Sequence, residues 1–251
     1  MSEPSPNSPE PDPDAGFVTR YAGLPDAGWK AGSVGIGLLI AVGLLLAGTI
    51  VIAVFDPELD SEAGRDAAQL VVAMALAGTA LGYALADAGG RLRGAFDRLG
   101  LARFALSAIG LAALAWLAYL GAAALLSPLL SPQQEDVTRE LGTDEGSAIS
   151  IVAAGLLIVV VAPLSEELFF RGFMFSGLRR SISLWPAAVV SAAVWGSLHL
   201  GGGNVGVAIQ LSVFGVILAW LYERSGTLWA PIIAHTINNS IAFTLLITDV
   251  V

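Results

Sequence analysis

The residues able to do chemistry fall in three short stretches of the second half of the chain. The first holds Pro163, Ser165, Glu166, Glu167 and Arg171. On a helix, residues four apart share a face, so Glu167 can pair with Arg171. Glu166 is rotated by about 100° and can point away from that pair. Pro163 removes a backbone donor and is expected to kink or restart the helix. Ser165 would then cap the new start, with both carboxylates in its first turn. The second stretch places Trp195 four residues before His199. The third carries His235, Asn238 and Asn239, with His235 and Asn239 on one face. Each stretch also has a plainer reading: a solvated interfacial helix, an interfacial tryptophan with a hydrogen-bonded histidine, and polar glue between helices. Taken together, a glutamate, two histidines and an asparagine from separate helices form a set suited to hydrolysis. A carboxylate can take a proton from water, an imidazole can orient that water or donate to a leaving amine, and an amide or protonated imidazole can hold an oxyanion.

The elements that must position these groups are set by composition. The 251 residues are 55% hydrophobic and 13% charged, with a mean hydropathy of +0.75. Soluble domains carry about a quarter charged residues, so the solvent expected for this chain is a lipid bilayer. That excludes a water-soluble enzyme. The formal net charge of −9 argues against nucleic-acid partners, which need clustered Lys and Arg. The absence of cysteine excludes disulfides, thiolate metal sites and cysteine nucleophiles.

Residues 1–16 hold five prolines, four acids and no base, and read as a disordered acidic tail. They lack the basic start of a secretory signal. Uncharged runs follow over 31–55, 67–86, 104–130 and 146–165, each near the ~20 residues that a spanning helix needs. The run 181–222 is charge-free except for His199 and must hold two spans, divided at Gly201 to Asn204. The last run is 225–248. The expected fold is therefore all-α, a polytopic transmembrane bundle of about seven spans, with six or eight also compatible. Residues 17–146 would form an amino-terminal membrane region of three spans, and 147–248 a second region of four. Gln210 and Ser212 read as packing residues. There is no convincing internal repeat.

Loop charges give an orientation. Arg20, Lys30, Arg91, Arg93, Arg98, Arg103, Arg179, Arg180 and Arg224 all fall on one side if the spans alternate. The acids Asp56, Glu58, Asp60, Glu62, Glu135, Asp136, Glu140, Asp144 and Glu145 fall on the other, with only Arg65 and Arg139. Basic loops stay cytoplasmic, so the amino terminus is expected inside and the carboxyl terminus outside, in a multi-pass protein of the cell membrane. Both histidines would lie within spans. At 1.5 Å per residue, His235 would sit ~12 Å in from the cytoplasmic ends and His199 ~20–24 Å in. For the groups to meet, the fifth span must start deeper or tilt, or the helix after Pro163 must dip inward. A water-filled cavity open to the cytoplasm is expected beside them.

The motifs Glu166-Glu167-x-x-x-Arg171, Trp195-x-x-x-His199 and His235-x-x-x-Asn239 resemble those of the CPBP intramembrane proteases. This family includes the type II CAAX prenyl endopeptidases and bacteriocin-processing or self-immunity proteins. The resemblance covers roughly 147–248. One departure is Trp195, where the eukaryotic pattern has Phe. The resemblance implies a membrane-embedded endopeptidase acting on a peptide or membrane-protein substrate. Glu166 would activate water with His199 beside it, His235 and Asn239 would stabilise the oxyanion, and Glu167 with Arg171 would hold the motif in shape. The family is commonly labelled metalloprotease, and Glu166, His199 and His235 could hold a zinc with an open position. There is no HExxH motif, and a metal-free glutamate mechanism uses the same residues. A CAAX specificity needs prenylated substrates and is not carried over, because the composition looks prokaryotic. A non-catalytic immunity or regulatory protein and a proton-coupled transporter are the alternatives.

Overall fold

Apolar runs of this length satisfy their backbone groups as helices, because lipid offers no other hydrogen-bond partner. The computed structural model describes residues 23–56, 61–130, 148–200 and 204–248, and among them every regular element is helical. They are α1 (Ala31–Phe55), α2 (Glu62–Asp87), α3 (Leu92–Arg98), α4 (Ser107–Leu130), a long helical run α5 (Ala148–Arg179), α6 (Leu184–Ser197), α7 (Val205–Ser225) and α8 (Trp229–Ile247). Six are long and apolar enough to cross a membrane, and α6 is a seventh, shorter apolar helix. The acidic tail, the acids over 131–147 and the glycines at 201–203 lie outside the described residues. The small surface helix α3 was not visible in the hydropathy pattern.

Much of the apolar surface faces outward, as a lipid solvent requires. Leu39, Val54, Leu125 and Ile149 are all exposed. The core is built where α5 lies among the others. α2 packs along the second half of α5, α8 against its middle, and α6 pairs closely with α7. α4 lies across α7 and α8, where Tyr119 stacks on Phe214 at 4.3 Å between ring centroids.

The chain does not restart at Pro163. α5 is continuous over 32 residues, and it widens into π-helical turns at Leu157–Val161 and Leu168–Phe175. Pro163 cannot donate and crowds the preceding turn, and a local change of register is one way a membrane helix absorbs this. Ser165 is not a cap. Its hydroxyl donates back to the carbonyls of Val161 (2.9 Å) and Ala162 (3.0 Å), inside the run. The carboxylates of Glu166 and Glu167 therefore sit in mid-helix, away from any positive helix end.

The basic loops do meet at one end of the bundle. Asp26 pairs with Arg98 (3.3 Å) and with Arg180, Arg98 with Asp87 (3.0 Å), and Arg179 with Glu223 (2.7 Å). The loop after α3 is tied there to the end of α7 and the start of α8. Leu228 N donates to Gly100 O, Trp229 Nε1 to Leu101 O, and Tyr222 Oη to Leu99 O.

This end also resolves the depth mismatch. α8 begins inside the bundle, with Leu228 packed on Gly172 of α5. Six residues on from Trp229, about 9 Å at the helical rise, His235 is level with Glu166, six residues back from Gly172. Ser191 of α6 donates to Phe170 O, which brings Trp195 to the same level. α6 is only 14 residues long. At ~1.5 Å per residue it is shorter than a ~30 Å hydrocarbon core. His199 accordingly lies not within a span but in the turn after α6.

Small residues let α6 and α7 approach. A Cβ on Gly196 would fall 2.7 Å from Ala208 O and 2.1 Å from Ser212 Oγ. Gly196→Val is therefore expected to lower stability by about 1–3 kcal/mol through overpacking. Gly43 has open space around it, and Gly43→Ala is expected to leave stability unchanged or slightly raised. Thermal unfolding in detergent checks both; equal effects at the two sites would contradict the close approach.

Candidate functional site

At the level where α5, α6 and α8 meet, the polar side chains of the three motifs converge. Glu167 and Arg171, one turn apart on α5, are both fully buried and joined at 2.7 Å between Oε1 and Nη1. A buried charge needs such a partner. His235 of α8 donates from Nδ1 to the same Oε1 at 2.9 Å. Arg171 Nη2 also donates to Gly215 O of α7 at 3.3 Å, and its guanidinium lies over the Trp195 ring, 4.7 Å from the centroid. Glu167 Oε2 and Arg171 Nε are buried with no hydrogen-bond partner among the described residues. The cluster is thus satisfied on one side only.

Glu166 points elsewhere, as the helical spacing implied. One of its oxygens, Oε2, accepts from Trp195 Nε1 at 2.5 Å. The same oxygen lies 3.9 Å from His235 Nε2, the nitrogen left over once Nδ1 has bonded to Glu167. This is too long for a direct hydrogen bond. Glu166 keeps 14% of its side-chain surface accessible, whereas Glu167 keeps none.

Trp195 is not an interfacial residue but the buried centre of the cluster, 1% exposed. Its indole N–H holds Glu166, and its face carries Arg171. Its ring packs edge-to-face with His235 (5.2 Å) and with His199 (5.3 Å). A phenylalanine at this position could fill the space but could not donate to Glu166.

Two expected members stand differently. His199 makes no hydrogen bond or ion pair to Glu166; Nδ1 lies 3.2 Å from Trp195 O, and the ring packs against the Trp195 indole. The imidazole beside Glu166 is His235. Asn239, one turn beyond His235, donates to Ile158 O at 2.9 Å, a carbonyl of the first π-helical stretch. Asn238 donates in turn to Asn239 Oδ1 at 3.4 Å. In this arrangement Asn239 ties α8 to α5, as polar glue would. Ser212 bonds to its own helix at Ala208 O. Gly215, Phe214 and Ile158 escaped the sequence reading because they contribute a carbonyl, a ring set at right angles to His235 (6.0 Å between centroids) and another carbonyl, none of which a side-chain motif reveals.

The donors do not suit a zinc ion. Among the described residues no three His, Asp or Glu side chains are gathered as a metal would need. Glu166 Oε2 is held by an indole, His235 Nδ1 by Glu167, and His199 is turned to a carbonyl. Zinc bonds run ~2.0–2.2 Å to nitrogen and oxygen, with all ligands turned to one point. The set Glu166, His199 and His235 is not arranged this way.

A recess of about 10 Å³ lies beside Glu166, between α5 and the half of α2 that starts at the acidic end, whereas the larger cavity at the basic end, about 510 Å³ and lined by Asp26, Arg98 and Arg103, is not lined by Glu166 or either histidine. The recess beside Glu166 has about the room a single water needs.

Residues 148–241 match the family model described as Rce1-like, type II CAAX prenyl endopeptidase. Among curated proteins, one named membrane peptidase YdiL, from Bacillus subtilis (strain 168), is 30% identical over 93 residues, covering 36% of this chain and 37% of that protein. CAAX prenyl protease 2 of Homo sapiens is 33% identical over 101 residues, 34% of this chain and 31% of that protein. An uncharacterised 24.3 kDa protein of Escherichia coli is 28% identical over 113 residues, 44% and 52% of the two chains. The matches thus span about a third to a half of the length of these relatives. No solved structure matches the chain. The resemblance carried by the three motifs is borne out over this region.

Because Glu167 and Arg171 are buried together, Glu167→Gln or Arg171→Gln alone would strand a charge and is expected to cost about 3–5 kcal/mol. The double substitution is expected to cost clearly less than the sum. A double-mutant cycle on unfolding in detergent checks this; strictly additive losses would mean the pair is not coupled.

Proposed function

We propose that this chain is an intramembrane endopeptidase that hydrolyses a peptide bond with a water activated by Glu166. The observation that carries this reading is the placement of one Glu166 oxygen between Trp195 Nε1 (2.5 Å) and His235 Nε2 (3.9 Å), in a carboxylate that retains access to a water-sized recess. The match of residues 148–241 to an endopeptidase family supports it.

In this mechanism Glu166 takes a proton from water as the oxygen attacks the scissile carbonyl carbon. Trp195 holds the carboxylate in place, so its lone pairs meet the water without rotation. His235 is fixed by Glu167, which leaves Nε2 facing the reacting centre. Carrying a proton, Nε2 donates to the oxyanion. The Asn239 amide supplies a second donor once substrate draws it from Ile158 O. Glu166 then passes its proton to the leaving amine as the C–N bond breaks, while His199 steadies Trp195 through its edge-to-face contact with the indole. Electrostatic donors of this kind are worth about 2.7–4 kcal/mol each in acyl transfer. Glu167 and Arg171 position these groups and touch no reacting atom. The substrate is a peptide or membrane-protein segment near the membrane, with the amino terminus of this enzyme on the cytoplasmic side of the cell membrane.

The test is cleavage by the full chain in proteoliposomes, with membrane-anchored reporter peptides, prenylated and unprenylated, read by mass spectrometry. Glu166→Gln is expected to lower turnover roughly 10²–10⁴-fold, the contribution usual for a general base. Its melting temperature should stay near that of the unaltered protein, because Glu166 lies outside the fully buried pair. Cleavage retained by Glu166→Gln would sink the mechanism. A cellular role that survives this substitution but not loss of the protein would instead favour a non-catalytic immunity or regulatory part.

A further inference from the structure

α2 lies outside the region that matches the endopeptidase family, yet it forms one wall of the recess beside Glu166. The lining is Gln69, Val72 and Ala73 from α2, with residues of α5 from Leu157 to Glu166 opposite. Val72, Ala73, Leu157, Val161 and Ala162 are apolar, and the Ser165 hydroxyl is engaged by its own helix. Gln69 is exposed, and its carboxamide has no hydrogen-bond partner among the described residues. An unpaired amide in an apolar membrane helix is costly. Arg65 and Asp66, four and three residues earlier, share its face, so a polar track leads from the acidic end of α2 to the recess.

We propose that Gln69 is a substrate-positioning residue, and that a peptide reaches Glu166 through the seam between α2 and the middle of α5. This rests on the reading of Glu166 as the base. A carboxamide offers both a donor and an acceptor, the complement of one peptide group. A helical segment in lipid already satisfies its own N–H and C=O groups and has nothing to offer Gln69. The substrate class is therefore a segment that is extended, not helical, at the bond to be cut. The π-helical stretch Leu157–Val161 forms the facing wall, where the widened turn of α5 lies next to Glu166. On this view the amino-terminal region is part of the active site and not only a membrane anchor.

The chain has no cysteine, so single-cysteine variants report one position each. In proteoliposomes holding the full chain, Gln69→Cys is expected to react with a water-soluble thiol reagent much faster than Met74→Cys, which lies about 140° around the same helix and is exposed to lipid. Equal rates would overturn the access route, and this readout needs no turnover. For a cleaved reporter, Gln69→Leu is expected to raise KM about tenfold, the worth of one hydrogen bond, with kcat unchanged and the melting temperature unchanged or raised. Gln69→Asn should recover part of the loss. An unchanged KM would overturn the positioning role while leaving the Glu166 mechanism standing. Cleavage retained in Glu166→Gln would fell the mechanism, and the labelling result would still decide whether the seam admits water.

Discussion

The carboxylate of Glu167, with no accessible surface, is the constraint on which the rest of the structure depends. A bare charge at that depth would be prohibitively costly, so it must be paired. The spacing on α5 supplies Arg171, and α8 supplies His235. Arg171 is then itself buried. It is answered by the Gly215 carbonyl of α7 and by the face of Trp195 on α6. Four helices are thereby drawn to one point by a single charge. Gly215 can serve because it has no side chain; a Cβ there would lie 2.8 Å from Ala192 Cβ and 3.0 Å from the Trp195 ring.

The neighbouring acid is freed by the same arrangement. Since Glu167 carries the structural pairing, Glu166 needs only the Trp195 N–H to hold it and keeps part of its surface open. Two adjacent glutamates thus divide support from chemistry. Their separation follows from helix rotation, not from any difference in side-chain type. Trp195 couples the two roles, since the ring that steadies Arg171 also carries the donor to Glu166.

Much of this was legible in the sequence because it depends on local periodicity. The apolar runs located the helices, and 31–55 coincides with α1. The i, i+4 rule found the Glu167–Arg171 pair and turned Glu166 away from it. The alternation of loop charges put the basic loops together, and Asp26, Arg98 and Arg180 do meet. What escaped depends on packing. Pro163 reads as a break, but the surrounding helices let α5 widen and continue. α6 reads as part of a long run, yet it stops at Ser197, so His199 falls in a turn and the imidazole beside Glu166 comes from α8. Gln69 carries no motif, and only the fold reveals what it faces.

The most direct test of this division of labour is carboxylate labelling. The full chain in proteoliposomes is treated with a carbodiimide and an amine nucleophile, and the adducts are placed residue by residue by tandem mass spectrometry. Glu166, with open surface, is expected to be modified while Glu167, locked between Arg171 and His235, stays unmodified. Labelling of Glu167 at a rate equal to or above that of Glu166 would mean that the supporting and reacting acids have been assigned the wrong way round.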